Sequence, residues 1–389
     1  MSKKFETRAI RTQAERTQHR EHAVPVYLTS GFAFDSAEHG RALFANEEEG
    51  NVYSRYSNPN TDEFVRKICE MEQAEDGIAT ASGMSAVFSS IAGLLNSGDH
   101  LLVGRAIFGS THQVLTQLLT RWNITHTYVD IKDPDSWEKE IRPNTRMFFV
   151  ETPSNPGLDL IDLERAGEVA RNNNLILNVD NCFATPYLQQ PGAYGADLIV
   201  HSATKFIDGQ GRTIGGVVVG RQELIDELRF FARHSGPAMS PFNAWVLSKS
   251  LETLAVRMER HCDNALALAR YMEDHSAISW VKYPFLPSHP QHELARKQMK
   301  MGGGVLVFNF DEGLEAAKAF IDRLEMLTIC ANLGDTRTIV THPASTTHSK
   351  LTEEERLTVG ITPGLTRIAV GLEHIDDIVA DIAQALDRR

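Results

Sequence analysis

The sequence predicts an α/β protein with a mainly parallel central sheet, followed by a smaller α+β domain. Three observations lead there. The chain has 389 residues, too many for one ordinary core. Short apolar runs alternate with helix-length segments through its first half, the pattern of strands joined by crossover helices. That rhythm breaks after about Arg221, where a different mixture of helices and strands begins.

The elements follow in order. Residues 1–52 lack a clean core pattern and are expected to form an arm. "GIATASG" (Gly77–Gly83) reads as a strand ending in a turn. Met84, Val87, Phe88, Ile91, Leu94 and Leu95 then recur at helical spacing. "HLLVG" is a strand, with a helical stretch after it to about Trp122. "ITHTYVD", "RMFFVE", "LILNVD", "DLIVHS" and "IGGVVVG" are further strands, and Leu163–Asn172 is one of the intervening helices. A long helical region is expected from Pro241 to about Asp274. "GGGVLVFNF", "TIVTH" and "LTRIAVG" give strands of the second domain, with helices at Glu312–Leu324 and Asp376–Leu386. The division is 1–52 for the arm, 53–245 for the large α/β domain and 246–389 for the small one.

Composition narrows the function classes. A net charge of −12 argues against a nucleic-acid partner. No apolar run is long enough to span a bilayer, and the polar, Glu-containing N-terminus does not read as a secretory leader. The four cysteines (Cys69, Cys182, Cys262 and Cys330) are widely spaced, which predicts free thiols in a reducing cytoplasm. His201 and His342 read as hydrogen-bonded structural residues, since no metal-ligand spacing is present.

Ligands of open α/β sheets sit beyond the carboxyl ends of the strands, and three such ends carry suggestive groups. In "ATASGM" a glycine turn opens a helix whose free N–H groups favour an anion; Ser82 also reads simply as an N-cap. In "LNVDN", Asp180 ends an apolar strand, where a carboxylate needs a cationic partner or a cap. In "HSATKF", Lys205 lies between hydroxyl groups at a strand mouth, where desolvation lowers an amine's pKa. Ser202 and Thr204 could donate to a phosphate. An anion pocket, a carboxylate and a nucleophilic lysine together suit pyridoxal phosphate: the lysine for its aldehyde, the acid for its pyridine nitrogen, the helix start for its phosphate.

Those motifs, with "YSRYSNPN", "SGMSA", "ETPSNP", "VDNCFATPYLQQP", "HPASTTHS" and "GLTRIAVGLEH", resemble the Cys/Met-metabolism family of pyridoxal-phosphate enzymes over nearly the whole chain. The resemblance implies a fold-type I, aminotransferase-like architecture and a homotetramer of two active dimers. It implies that Lys205 forms the Schiff base and acts as general base, that Asp180 pairs with the pyridinium, and that Gly83, Met84, Ser202 and Thr204 bind the phosphate. Tyr53 and Arg55 match a pair that reaches the neighbouring subunit's phosphate, with Tyr53 also a catalytic candidate, which would explain the arm. Arg367 matches the arginine that holds the substrate α-carboxylate.

Three positions depart from the commoner pattern. Phe108 stands where most members have a tyrosine stacked on the cofactor; it can stack but cannot move a proton. Ser110 stands where methionine γ-lyases have cysteine. Asn332 replaces a serine and is a candidate substrate contact. Among family members the chain is most similar to the sulfhydrylases acting on O-succinylhomoserine. The implied activity is replacement of the γ-acyloxy group by sulfide to give homocysteine in methionine biosynthesis, with cystathionine γ-synthase and γ-lyase activities as alternatives. A nicotinamide dehydrogenase would need a GxGxxG spacing that "ATASGMSA" lacks. An inactive scaffold would be expected to have lost Lys205 or Asp180.

Overall fold

The computed structural model describes residues 3–349 and 352–387. Lys350 and Leu351, which bound the "HPASTTHSK" and "LTEEERL" segments, lie outside the described residues, as do the two residues at each terminus.

The large sheet comprises β1 (Asp76–Thr80), β2 (His100–Gly104), β3 (Thr125–Val129), β4 (Thr145–Glu151), β5 (Ile176–Asp180), β6 (Leu198–Ser202) and β7 (Gly216–Gly220). Their order is β1-β7-β6-β5-β4-β2-β3, with β7 antiparallel to both neighbours and all other pairs parallel. Both faces of the central strands are covered, so β2, β7 and, apart from Arg146, β4 are buried along their whole length rather than alternating. In β4, Met147 and Phe149 enter a cluster with Val87 and Ile91 of the helix Gly83–Ala92, while Phe148 and Val150 enter another with Leu163 and Val169 of the helix Leu163–Asn172.

The small domain holds β8 (Trp280–Lys282), β9 (Val305–Asn309), β10 (Thr328–Ile329), β11 (Ile339–Thr341) and β12 (Leu365–Ala369), ordered β10-β11-β12-β9-β8. Helices Leu314–Asp322 and Ile375–Asp387 pack on it. The helix Leu254–Glu273 serves both domains. Leu254, Met258 and Cys262 enter a core where Val217 of the large sheet meets Val305 and Leu365 of the small one, and Ala265, Leu268 and Met272 enter a second core on the small sheet.

Two expected helices differ in extent. The helical region from Pro241 is two helices, Pro241–Leu251 and Leu254–Glu273. At the break, the Ser250 carbonyl accepts from Thr253 Oγ1 (3.1 Å) and Arg257 Nη2 (3.0 Å), side-chain donors that compete with the helical ladder. The stretch to Trp122 is a single α-turn that passes through a π and then a 3₁₀ segment. The arm carries two short helices, Phe5–Arg11 and Ala37–Phe44. The described residues contain no helix long and apolar enough to cross a membrane. All four cysteines are free.

Candidate active site

The candidate groups converge at the carboxyl ends of β1, β4, β5 and β6. At the end of β1, Ser82 caps the helix Gly83–Ala92 by accepting from Ser85 N–H. Gly83, the first helical residue, is pressed against the end of β6. A Cβ placed there would lie 2.5 Å from Ser202 Cβ and 2.6 Å from its hydroxyl oxygen, so no side chain fits. The N-terminus of this helix and the Ser202 side chain are thus in close contact. Thr204 Oγ1 accepts from Gly215 N–H (3.2 Å), which fixes the turn after β6. Met84 follows Gly83 and packs against the core below.

Asp180 ends β5, buried, with Oδ1 accepting from Cys182 N–H at 3.0 Å. Burial pushes its pKa up to about 6, opposed by the Cys182 N–H and the charge of His201. His201 is itself bound to Glu72, Nε2 to Oε1 at 2.6 Å, and His342 is bound to Ser345 and the Pro363 carbonyl. Both are structural, as their sequence context suggests. Glu151 lies opposite Asp180 in the register of β4 and β5. Burial and the Asp180 charge hold its carboxyl well above the usual range. Glu151 Oε2 accepts from Phe108 N–H at 2.7 Å, which anchors the segment carrying Phe108.

Lys205 follows β6. Its Nζ donates to Asn332 Oδ1 at 2.6 Å. Burial lowers its pKa and the Arg367 charge lowers it further, against an opposing pull from Cys182. Gly334 seals this junction: its φ is +77°, and a Cβ there would sit 2.5 Å from Phe206 N. Arg367, on β12, is only 1% exposed. Its Nη1 donates to Asn155 Oδ1 and its Nη2 to the Asn332 carbonyl, both at 3.0 Å. Nε is buried without a partner, and no carboxylate pairs with Arg367 among the described residues. Burial pulls its pKa down to about 10. A buried guanidinium lacking a counter-charge calls for an anion.

Asn332 sits between Lys205 and Arg367. Its side chain holds Lys205 and its backbone holds Arg367, so it links the two cations. Tyr53 and Arg55 lie elsewhere. Tyr53 is 44% exposed. The Arg55 guanidinium sits 5.7 Å from the Tyr53 ring and 4.8 Å from that of Tyr56 and donates to the Arg233 carbonyl. Neither is hydrogen-bonded to Lys205, Asp180, Ser202 or Arg367. Glu151 and Asn155 were not singled out in the sequence. Glu151 carries the signal that marked Asp180, a carboxylate ending an apolar strand. Asn155 lies within "ETPSNP" but carries no chemistry until Arg367 is beside it. The described residues contain no cluster able to hold a metal.

Residues 6–387 match the family described as Cys/Met metabolism PLP-dependent enzymes. The chain belongs to this family. The Cys/Met-metabolism enzyme is 48% identical to an O-succinylhomoserine sulfhydrylase of Pseudomonas aeruginosa, over 98% of this chain and 95% of that one. It is 42% identical to an L-methionine γ-lyase of Treponema denticola, over 99% and 97%. A solved structure from Campylobacter jejuni, assigned as an O-acetylhomoserine (thiol)-lyase, superposes with a TM-score of 0.95 at 34% identity, covering 99% of this chain and all of that one. That structure carries a pyridoxyl-lysine phosphate. The Cys/Met-metabolism enzyme described here is pyridoxal-phosphate-dependent, and its site suits the cofactor: the Gly83–Ser202 corner for phosphate, Asp180 for the pyridinium, and an amine of lowered pKa for the aldehyde.

Proposed function

We propose that the chain replaces the γ-acyloxy group of an O-acylhomoserine, O-succinylhomoserine in the first instance, with sulfide to give homocysteine. The reading is supported by the likeness to the Pseudomonas sulfhydrylase and by Ser110 and Phe108, which depart from the lyase pattern. The observation that carries the amino-acid chemistry is the Lys205–Asn332–Arg367 link, which fixes a proton-accepting amine beside an arginine in need of an anion.

Arg367 grips the α-carboxylate through its planar fork. Lys205, its pKa lowered, removes the Cα proton. Bound pyridoxal phosphate supplies the electron sink for the charge left at Cα. Lys205 remains within reach to relay a proton from Cβ as the acyloxy group departs as a free acid anion. Hydrosulfide then forms the new C–S bond at Cγ, Lys205 hands a proton back to Cβ, and it then returns the Cα proton. With the cofactor bound, Asp180 would pair with its ring nitrogen, Gly83, Met84, Ser202 and Thr204 would hold its phosphate, and Phe108 would lie against its ring. Tyr53 and Arg55 complete the site of a second copy, within a homotetramer working in the cytoplasm.

Elimination is the second reading, favoured by the likeness to methionine γ-lyase. Product analysis of the cofactor-loaded enzyme decides between them. O-succinylhomoserine with sulfide should yield homocysteine, and with cysteine little cystathionine. Preferential cystathionine would make the enzyme a γ-synthase. Dominant 2-oxobutanoate with nucleophile present, or from methionine alone, would overturn replacement.

A further inference from the structure

Beside the proposed site lies a cavity of about 210 Å³ that the chemistry above does not use. It is bordered by Arg105, His112, Tyr128, Asn155, His348 and Glu355. It adjoins the substrate anchor directly, because Asn155 on its wall is the residue that holds Arg367 Nη1. Gly109, the residue after Phe108, lies on the same wall.

The polar groups there are poised for an anion. Arg105 leads out of β2, exposed, with its guanidinium 5.8 Å from the Tyr128 ring centroid. It has no ion-pair partner among the described residues. The Tyr128 hydroxyl is taken up by His112 Nδ1 at 2.7 Å. The Glu355 carboxylate is taken up by Thr352 N–H at 2.7 Å, in the capping box of the helix Glu353–Thr358. His348 supplies the second observation. It is 3% exposed, and Thr347 Oγ1 lies 2.8 Å from its Nδ1. Its Nε2 is buried with no hydrogen-bond partner. With Nδ1 accepting from the Thr347 hydroxyl, Nε2 carries a hydrogen and is a donor awaiting an acceptor. An unmet donor and an unpaired guanidinium lining one cavity suit a group that accepts at two places along its length.

We propose that this cavity is the acyl subsite and that Arg105 determines its specificity, by binding the far carboxylate of a dicarboxylic acyl chain while His348 donates to an oxygen nearer the ester. The inference rests on the O-acylhomoserine reading and names the class of ester: a monoester of a short diacid rather than of a monocarboxylic acid. A chain ending in a methyl group gives Arg105 nothing to bind.

The test compares wild type, Arg105→Met and Arg105→Lys, all cofactor-loaded, with O-succinylhomoserine and O-acetylhomoserine and sulfide in each case. Arg105→Met should lower kcat/KM for the succinyl ester by about 10- to 100-fold, mostly through KM, and leave the acetyl ester within about twofold of wild type. Arg105→Lys should fall between. Unchanged visible cofactor absorbance reports that each variant is folded and loaded. Equal losses on both esters would make Arg105 merely structural, and no loss on either would leave the acyl chain elsewhere; both outcomes overturn the proposal. A wild type that prefers the acetyl ester overturns the Arg105 assignment alone. A wild type that makes no homocysteine from either ester overturns the replacement reading itself.

Discussion

Glu151 and Asp180 stand side by side at the ends of adjacent parallel strands, both buried. Two neighbouring carboxyls shielded from water do not ionise alike. Asp180 has the Cys182 N–H and the charge of His201 to favour its anion, so Asp180 is the stronger acid and Glu151 keeps its proton.

Glu151→Gln therefore imitates the native protonation state. The folded pKa of Glu151 is raised, so the stability it contributes is full below the unfolded pKa and is lost as pH climbs towards the folded value. In apoenzyme, the stability of Glu151→Gln should overtake that of wild type as pH rises above about 4.5, by up to about 1.4 kcal/mol per pH unit. Thermal unfolding across pH 5–8 measures this, and parallel curves for the two proteins would show that Glu151 ionises normally. Glu151→Ala, which strands Phe108 N–H, should be about 1–3 kcal/mol less stable than Glu151→Gln at every pH.

Lys205→Ala should abolish the visible absorbance of the attached cofactor and lower turnover by about 10⁴-fold. The substituted protein should still retain the cofactor non-covalently through Asp180 and the Gly83–Ser202 corner, which equilibrium dialysis would detect.

Arg367→Lys keeps the charge but loses the fork. The bonds to Asn155 and to the Asn332 carbonyl cannot both survive on an ammonium of different reach. A rise in KM for the amino-acid substrate of about 10- to 100-fold is expected from steady-state kinetics, with cofactor absorbance unaltered.

Gly83→Ala puts a methyl group 2.5 Å from Ser202 Cβ. The strand end and the helix start must part, at a cost of about 1–3 kcal/mol, and cofactor affinity should fall with the displaced phosphate corner. Calorimetry and cofactor titration read the two effects separately. Normal affinity would move the phosphate away from this helix.

Tyr53 and Arg55 give a complementation test. Arg55→Ala and Lys205→Ala should each be inactive alone. If they serve different copies, reassembling equal amounts of the two should restore about a quarter of wild-type sites. No restored activity would place both groups in one chain's own site.

The large sheet was legible because helices cover both faces of its centre, which makes strands such as β2, β4 and β7 largely apolar runs. The strands β8 and β10, of three and two residues, are too short for any period to register. The helix Pro59–Glu72 went unread although Asn58 caps it, because its inward face carries Glu63 and Lys67, paired at 3.1 Å, where apolar residues were expected. Lys205 and Asp180 announced themselves by standing where an apolar strand ends. The Lys205–Asn332 contact could not, since it joins residues 127 apart through a fold that must exist first.

The helix Leu254–Glu273, with one end in each core, ties the fate of the two lobes together. Neither lobe can be excised or swapped for a relative's without tearing a core open, and heat should melt both in a single cooperative event. Evolution of new specificity in such an enzyme is thereby steered away from whole-lobe exchange and towards substitutions in the loops that line the catalytic cleft.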